Sequence, residues 1–148
     1  MRYKPVPPAP DSPDVVSRAR DSLPESVDPD VDCCARVMDA VGVDRGTAAD
    51  WLVFLAALGL LDERDGTYAQ SAAAVERGAL ADAFVERVYG ARELVDVLDD
   101  DPRTVEDIAS RASVLRDAER VARLLAWCQL LGLAERADGG YRVANERR

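Results

Sequence analysis

WLVFLAALGLLDERDGTY (51–68) and LLAWCQLLGLAERADGGY (124–141) are two copies of one stretch of sequence. Aligned without a gap at an offset of 73, Gly59 meets Gly132, Asp65 meets Asp138, Gly66 meets Gly139 and Tyr68 meets Tyr141. Carried upstream, the same offset lays Asp28-Pro29 on Asp101-Pro102 and Asp44 on Asp117. Half of 148 residues is 74, so nearly the whole chain is a duplication. A repeat of this length decides the architecture before any shorter motif does.

Each copy reads as three helices followed by a hairpin. In the first, Ser12 is placed to cap a helix over Pro13 to Leu23, with Pro13 at the first helical position. Pro29 is expected to open a second helix, because Val31, Cys34, Ala35, Met38 and Val41 recur at helical spacing. Asp44 or Thr47 caps a third, which runs to Leu58 and stops at Gly59. Leu60 to Arg64 and Thr67 to Gln70 then flank Asp65-Gly66, a strong hairpin signal. The second copy repeats this with a helix from about Asp82 to Leu98 and another opened by Asp101-Pro102. A third helix begins at Asp117, and a hairpin turns at Asp138-Gly139. The Ala-rich residues 71–81 permit a helical connector, and the Pro-rich head, Pro5 to Pro10, is expected to be extended and solvated.

Three helices and a two-stranded hairpin make the winged helix-turn-helix plan. LLAWCQLLGLAERADGGYRV (124–143) resembles the third helix and wing of archaeal winged-helix regulators. TVEDIASRA (104–112) resembles their second helix, where T-x-E-x-I-A is common. The same stretches are similar to the winged-helix dimerisation domain of small-molecule O-methyltransferases. The resemblance implies a mainly α fold, a duplicated winged helix-turn-helix packed as one unit. It divides into a head (1–12), a first repeat (13–70), a connector (71–81) and a second repeat (82–148). It is specific for fold and not for task, because function resides in sites grafted onto folds. Methyl transfer is not expected, since nothing after the second wing supplies a cofactor-binding α/β domain and no Gly-rich nucleotide loop is present.

Composition narrows the chemistry. The chain has no histidine, the commonest general base and metal ligand. Its cysteines, Cys33, Cys34 and Cys128, are odd in number and lack a CxxC spacing, which argues against a disulfide framework or zinc site and for a reducing, cytoplasmic location. No stretch approaches the roughly 18 apolar residues of a membrane helix, and the head has no secretory h-region. No carboxylate pair, Ser/Cys–His set or metal cluster is visible, so neither an enzyme nor a cofactor is expected. The charge is −9, from 28 acids and 19 bases; 19 of the acids are Asp, and Lys4 stands alone beside 18 arginines. Such an Asp-heavy, Lys-poor surface resembles proteins of salt-loving archaea, where carboxylates hold hydration in concentrated salt. On that account the acidity argues only weakly against a nucleic-acid partner.

The candidate DNA contacts follow from the fold. The N-terminal residues of a third helix enter the major groove. In the first repeat that segment carries Asp44 and Asp50, which repel phosphate and leave Arg45 and Thr47. In the second it carries Arg116, Arg120 and Arg123 at helical spacing, preceded by Arg111. Arginine grips phosphate or reads guanine bidentately, so the second repeat is the expected DNA reader, with Arg136 and Arg142 assisting from the wing. Residues 1–78 carry net −6 and residues 79–148 net −3, in the same direction. A solvated face with Glu119–Arg123 neighbours accounts equally for these arginines. The alternative task is protein interaction or homodimerisation. Trp51 to Leu61 contains no polar side chain, and a helix apolar all round must be covered all round. Trp51, Phe54, Leu58, Trp127 and Leu131 are its interface candidates, unless the chain covers them itself. Cys33 and Cys34 read as small core residues, with Cys34 on the apolar face. The acids of 28–32 and 99–101 read as helix caps and not as a cation site.

Overall fold

In the computed structural model, which describes residues 5–112 and 117–145, the two quoted stretches form the same object. The third helix of the first repeat, α3 (Arg45–Ala57), leads through Gly59 into β1 (Leu61–Arg64) and β2 (Thr67–Gln70). Its counterpart α7 (Ala118–Leu130) leads through Gly132 into β3 (Ala134–Ala137) and β4 (Gly140–Val143). Both hairpins are antiparallel, with Leu61 opposite Gln70 and Ala134 opposite Val143. The tight turns need two successive residues in the left-handed region. Asp65 and Gly66 supply φ of 53° and 81°, Asp138 and Gly139 supply 49° and 79°.

The remaining helices are α1 (Pro13–Asp21), α2 (Cys33–Val37), α4 (Arg77–Arg87), α5 (Ala91–Val97) and α6 (Val105–Arg111). The chain divides into two compact units, Met1–Glu76 and Arg77–Arg148. In the first, α3 packs on α2 and β1; in the second, α7 packs on α5, α6 and β3. Each core centres on its third helix. Trp51, Phe54 and Leu55 are at most 1% exposed, and Leu124, Leu125 and Trp127 are fully covered. Burying a side chain of this size contributes about 1.5–3 kcal/mol, so these helices are held by packing.

Caps decide the helix starts, and they move two expected boundaries. Neither Pro29 nor Pro102 opens a helix. Asp32 caps α2 by accepting from the Ala35 N–H at 3.0 Å, and Thr104 caps α6 by accepting from the Asp107 N–H at 3.1 Å. A side chain that satisfies a free N–H fixes a start more firmly than a proline that merely lacks one. Ser12 and Pro13 start α1 and Asp44 caps α3, as their positions suggest. The second helix of the first unit runs on as a π-helical turn over Met38–Gly42, which helical spacing alone does not reveal.

Three other expectations are corrected. The connector is not helical over 71–76, because its carbonyls are taken: Arg20 Nη2 donates to Ser71 O at 2.7 Å and to Ala73 O at 2.8 Å. The expected helix from 82 to 98 is two helices, α4 and α5, parted at Gly90 (φ 86°). The Pro-rich head is only partly solvated, since Val6 is 3% exposed and Pro7 is buried while Pro5 and Pro8 are exposed. At the repeat offset it stands where α4 stands in the second unit; its four prolines over 5–10 exclude the helical hydrogen bonds.

Each wing is also tied to the segment before its second helix. Gln70 N–H donates to Pro24 O at 2.8 Å, and Val143 N–H donates to Asp99 O at 2.9 Å. The second wing adds a bridge to Arg103, whose N–H donates to Tyr141 O at 2.9 Å and whose carbonyl accepts from Tyr141 N–H at 2.8 Å. Gly140 makes room for it, since a Cβ there would stand 2.7 Å from the Arg103 carbonyl carbon.

Candidate nucleic-acid interface

At the first turn of α7, Asp117 Oδ1 accepts from the Glu119 N–H at 3.0 Å and the Arg120 N–H at 3.4 Å. This cap fixes where the following arginines point, and they do not form one stripe. Arg120 turns inward. It is 7% exposed, and its Nη2 donates to the Tyr89 carbonyl at 3.0 Å, joining α7 to the turn between α4 and α5. Sequence spacing placed Arg120 among the DNA contacts, but a guanidinium covered in this way has no face for a phosphate. Arg123, one turn on, is 39% exposed and lies 3.3 Å from Glu119. Arg116 lies outside the described residues.

The surrounding arginines pair with acids of the same unit. Arg111 Nε meets Asp107 at 3.1 Å, and Arg103 bridges Asp107 at 3.3 Å and Asp99 at 2.7 Å. That contact and the Asp101 N–H hold the Asp99 carboxyl below its usual range, and Asp99 in turn raises Arg103. Helical spacing does not single out Arg103. Its only signal was its place four residues from each of two aspartates, Asp99 and Asp107. On the wing, Arg142 is fixed to Glu135 at 2.6 Å, and Glu135 also accepts from the Asn145 N–H at 2.8 Å. Arg136 lies over the Tyr141 ring, 4.9 Å from its centroid, and remains exposed. Thus Arg111, Arg123 and Arg136 keep solvent-facing guanidinium groups, Arg142 is partly buried, and Arg120 is withdrawn. Exposed ion pairs of this kind are worth about 0–1 kcal/mol, so a phosphate can displace the partner acid.

The same end of the first unit carries a different charge. Arg45 is locked to Asp32 by two contacts, at 3.1 and 3.0 Å. Arg45 foremost, with the Ala35 N–H, holds Asp32 below the usual carboxylate range. Asp44 is lowered by the Thr47 backbone N–H that it caps, and by the Thr47 hydroxyl. At the repeat offset, Arg103, Arg111, Arg120, Arg123 and Arg136 stand over Asp30, Met38, Thr47, Asp50 and Glu63.

The proposed interface residues Trp51, Phe54, Leu58, Trp127 and Leu131 are each no more than 4% exposed. The chain covers them itself, which leaves them no area for a partner. Among the described residues, Tyr89 at 38% is the one exposed large hydrophobic side chain. Cys33 is buried, with its thiol 3.6 Å from the Tyr68 carbonyl, whereas Cys34 is the more open of the pair, the reverse of the expected order. The acids before α2 and α6 make turns and caps: Asp28 accepts from the Asp30 N–H and Asp99 from the Asp101 N–H, both at 3.0 Å. No group of three potential metal ligands occurs among the described residues.

The duplicated helix–helix–helix–wing geometry is matched over residues 1–148 by the family model described as the halobacterial double winged helix domain. The chain belongs to that family. No curated protein and no solved structure matches it. The family's name agrees with the duplicated winged-helix architecture and with the halophilic composition. No described helix is long and apolar enough to cross a membrane.

Proposed function

We propose that this double winged helix protein is a non-enzymatic, DNA-associated transcriptional regulator that meets DNA through its second repeat. The observation that carries the reading is the charge of corresponding segments. Residues 28–70 hold nine acids and three arginines, net −6, whereas residues 101–143 hold seven of each and are neutral. Arg111, Arg123 and Arg136, spread over α6, α7 and the wing, are the groups assigned to phosphate and base edges. Arg116 precedes α7, where an entering helix begins. Arg142 supports the wing through Glu135, and Arg120 supports α7 from inside. The first repeat, with Asp44 and Asp50 on its third helix, has no part in gripping phosphate.

The test is retention of sheared DNA from the source genome at low and at molar KCl, with the recovered fragments sequenced. Phosphate contacts weaken steeply with salt, so enrichment of particular fragments between coding regions in molar salt is the expected result. No retention at either salt overturns the proposal.

A further inference from the structure

The first unit contains a recess of about 360 Å³, inside the range of small-molecule sites. Val15 on α1, Val41 in the π-helical turn and Trp51 on α3 form its apolar walls, and the proline strap of residues 8–10 closes one side. Its polar groups are Asp11, Arg18 and Thr47.

The duplication explains the space. At the repeat offset Thr47 stands over Arg120, and Arg18 over Ala91. In the second unit Arg120 fills the gap between the first turn of α7 and Tyr89, and Ala91 is fully covered. In the first unit a short threonine leaves the corresponding gap, between α3 and α1, open. An exposed arginine stands at its rim in place of a buried alanine. Within the described residues the side chains of Arg18 and Asp11 make no hydrogen bond or ion pair. Opposite charges therefore line one recess with their ends more than 4.0 Å apart. The π-helical turn at its wall is a feature that recurs at functional sites.

We propose that this recess binds a small apolar α-amino acid. Arg18 takes the carboxylate and Asp11 the ammonium, with the ligand's side chain among Val15, Val41 and Trp51. A zwitterion pairs with both rim charges at once, whereas a plain acid or amine pairs with only one. The site lies wholly in the first unit and stands whether or not the second repeat reads DNA.

The experiment is calorimetric titration of the full chain in molar KCl with L-leucine, L-valine and L-phenylalanine. 4-Methylpentanoate and 3-methylbutylamine serve as analogues lacking the ammonium or the carboxylate. Saturable heat is expected for at least one amino acid, with both analogues weaker. Arg18→Gln and Thr47→Arg should each weaken binding by about tenfold or more, as loss of a charge-assisted contact or of the space predicts. Thr47→Arg fills the space with the residue that the second unit carries there but also removes the Thr47 hydroxyl from Asp44, whereas Arg18→Gln alters only an exposed side chain and should leave the melting near wild type. Three results overturn the proposal: no response to any of the amino acids, an analogue binding as tightly as L-leucine, or unchanged binding in both variants.

Discussion

Arg120→Met separates an arginine that builds the fold from one that meets a partner. Arg120 is 7% exposed, and its guanidinium donates to the Tyr89 carbonyl at 3.0 Å. Methionine retains most of the apolar stem, so the loss is mainly the charged hydrogen bond and the carbonyl left behind. A hydrogen bond to a charged group contributes about 1.5–3 kcal/mol. In a unit of this size, each kcal/mol moves the melting midpoint by roughly 4–8 °C. The second unit should therefore melt roughly 6–24 °C lower. Circular dichroism melts of the full chain in molar KCl, beside Arg123→Ala, give the comparison. The Arg123–Glu119 pair is exposed and should change stability by under about 0.5 kcal/mol. A melt of Arg120→Met that overlays wild type, together with lost DNA affinity, would refute the inward role of Arg120.

Gly140→Ala should destabilise the second wing by about 1–3 kcal/mol, because its Cβ would collide with the Arg103 backbone. Amide exchange should quicken at Tyr141 and Arg103 while the first wing stays unchanged. Acid should act through Asp32, Asp44 and Asp99, all lowered from 3.8. Their stabilisation is full above the unfolded value and is lost as pH falls below it through each folded value. Melts from pH 7 to pH 2 should therefore fall away below about pH 4, less steeply in Asp99→Asn; an equal slope in that variant contradicts the Asp99–Arg103 assignment.

The fold was largely legible because the duplication puts every strong local signal on the page twice. The Asp-Gly turns, Asp44 and Asp117 as caps and Gly59 and Gly132 as stops all stand where spacing places them. What failed was decided at a distance. Periodicity could not show that Arg20 would take the connector's carbonyls, or that Thr104 rather than Pro102 would start α6. The arginine cluster was legible as composition but not as direction. Helical spacing groups Arg120 with Arg123, yet less than a full turn separates them, and one faces the core. Trp51 and Phe54 looked like an interface because a helix apolar on nearly every side needs cover. The sequence does not say that the chain itself provides it.

The most direct measurement is DNA affinity across a KCl series for wild type and two charge-reversed proteins. One carries Arg123→Glu with Arg136→Glu in the second repeat, the other Arg45→Glu with Arg64→Glu in the first. Each lost phosphate contact reduces the salt slope by about one. The account predicts that the second-repeat variant loses affinity and about two units of slope, while the first-repeat variant binds like wild type. Equal losses in the two variants, or wild type that binds no DNA even at low salt, would contradict it.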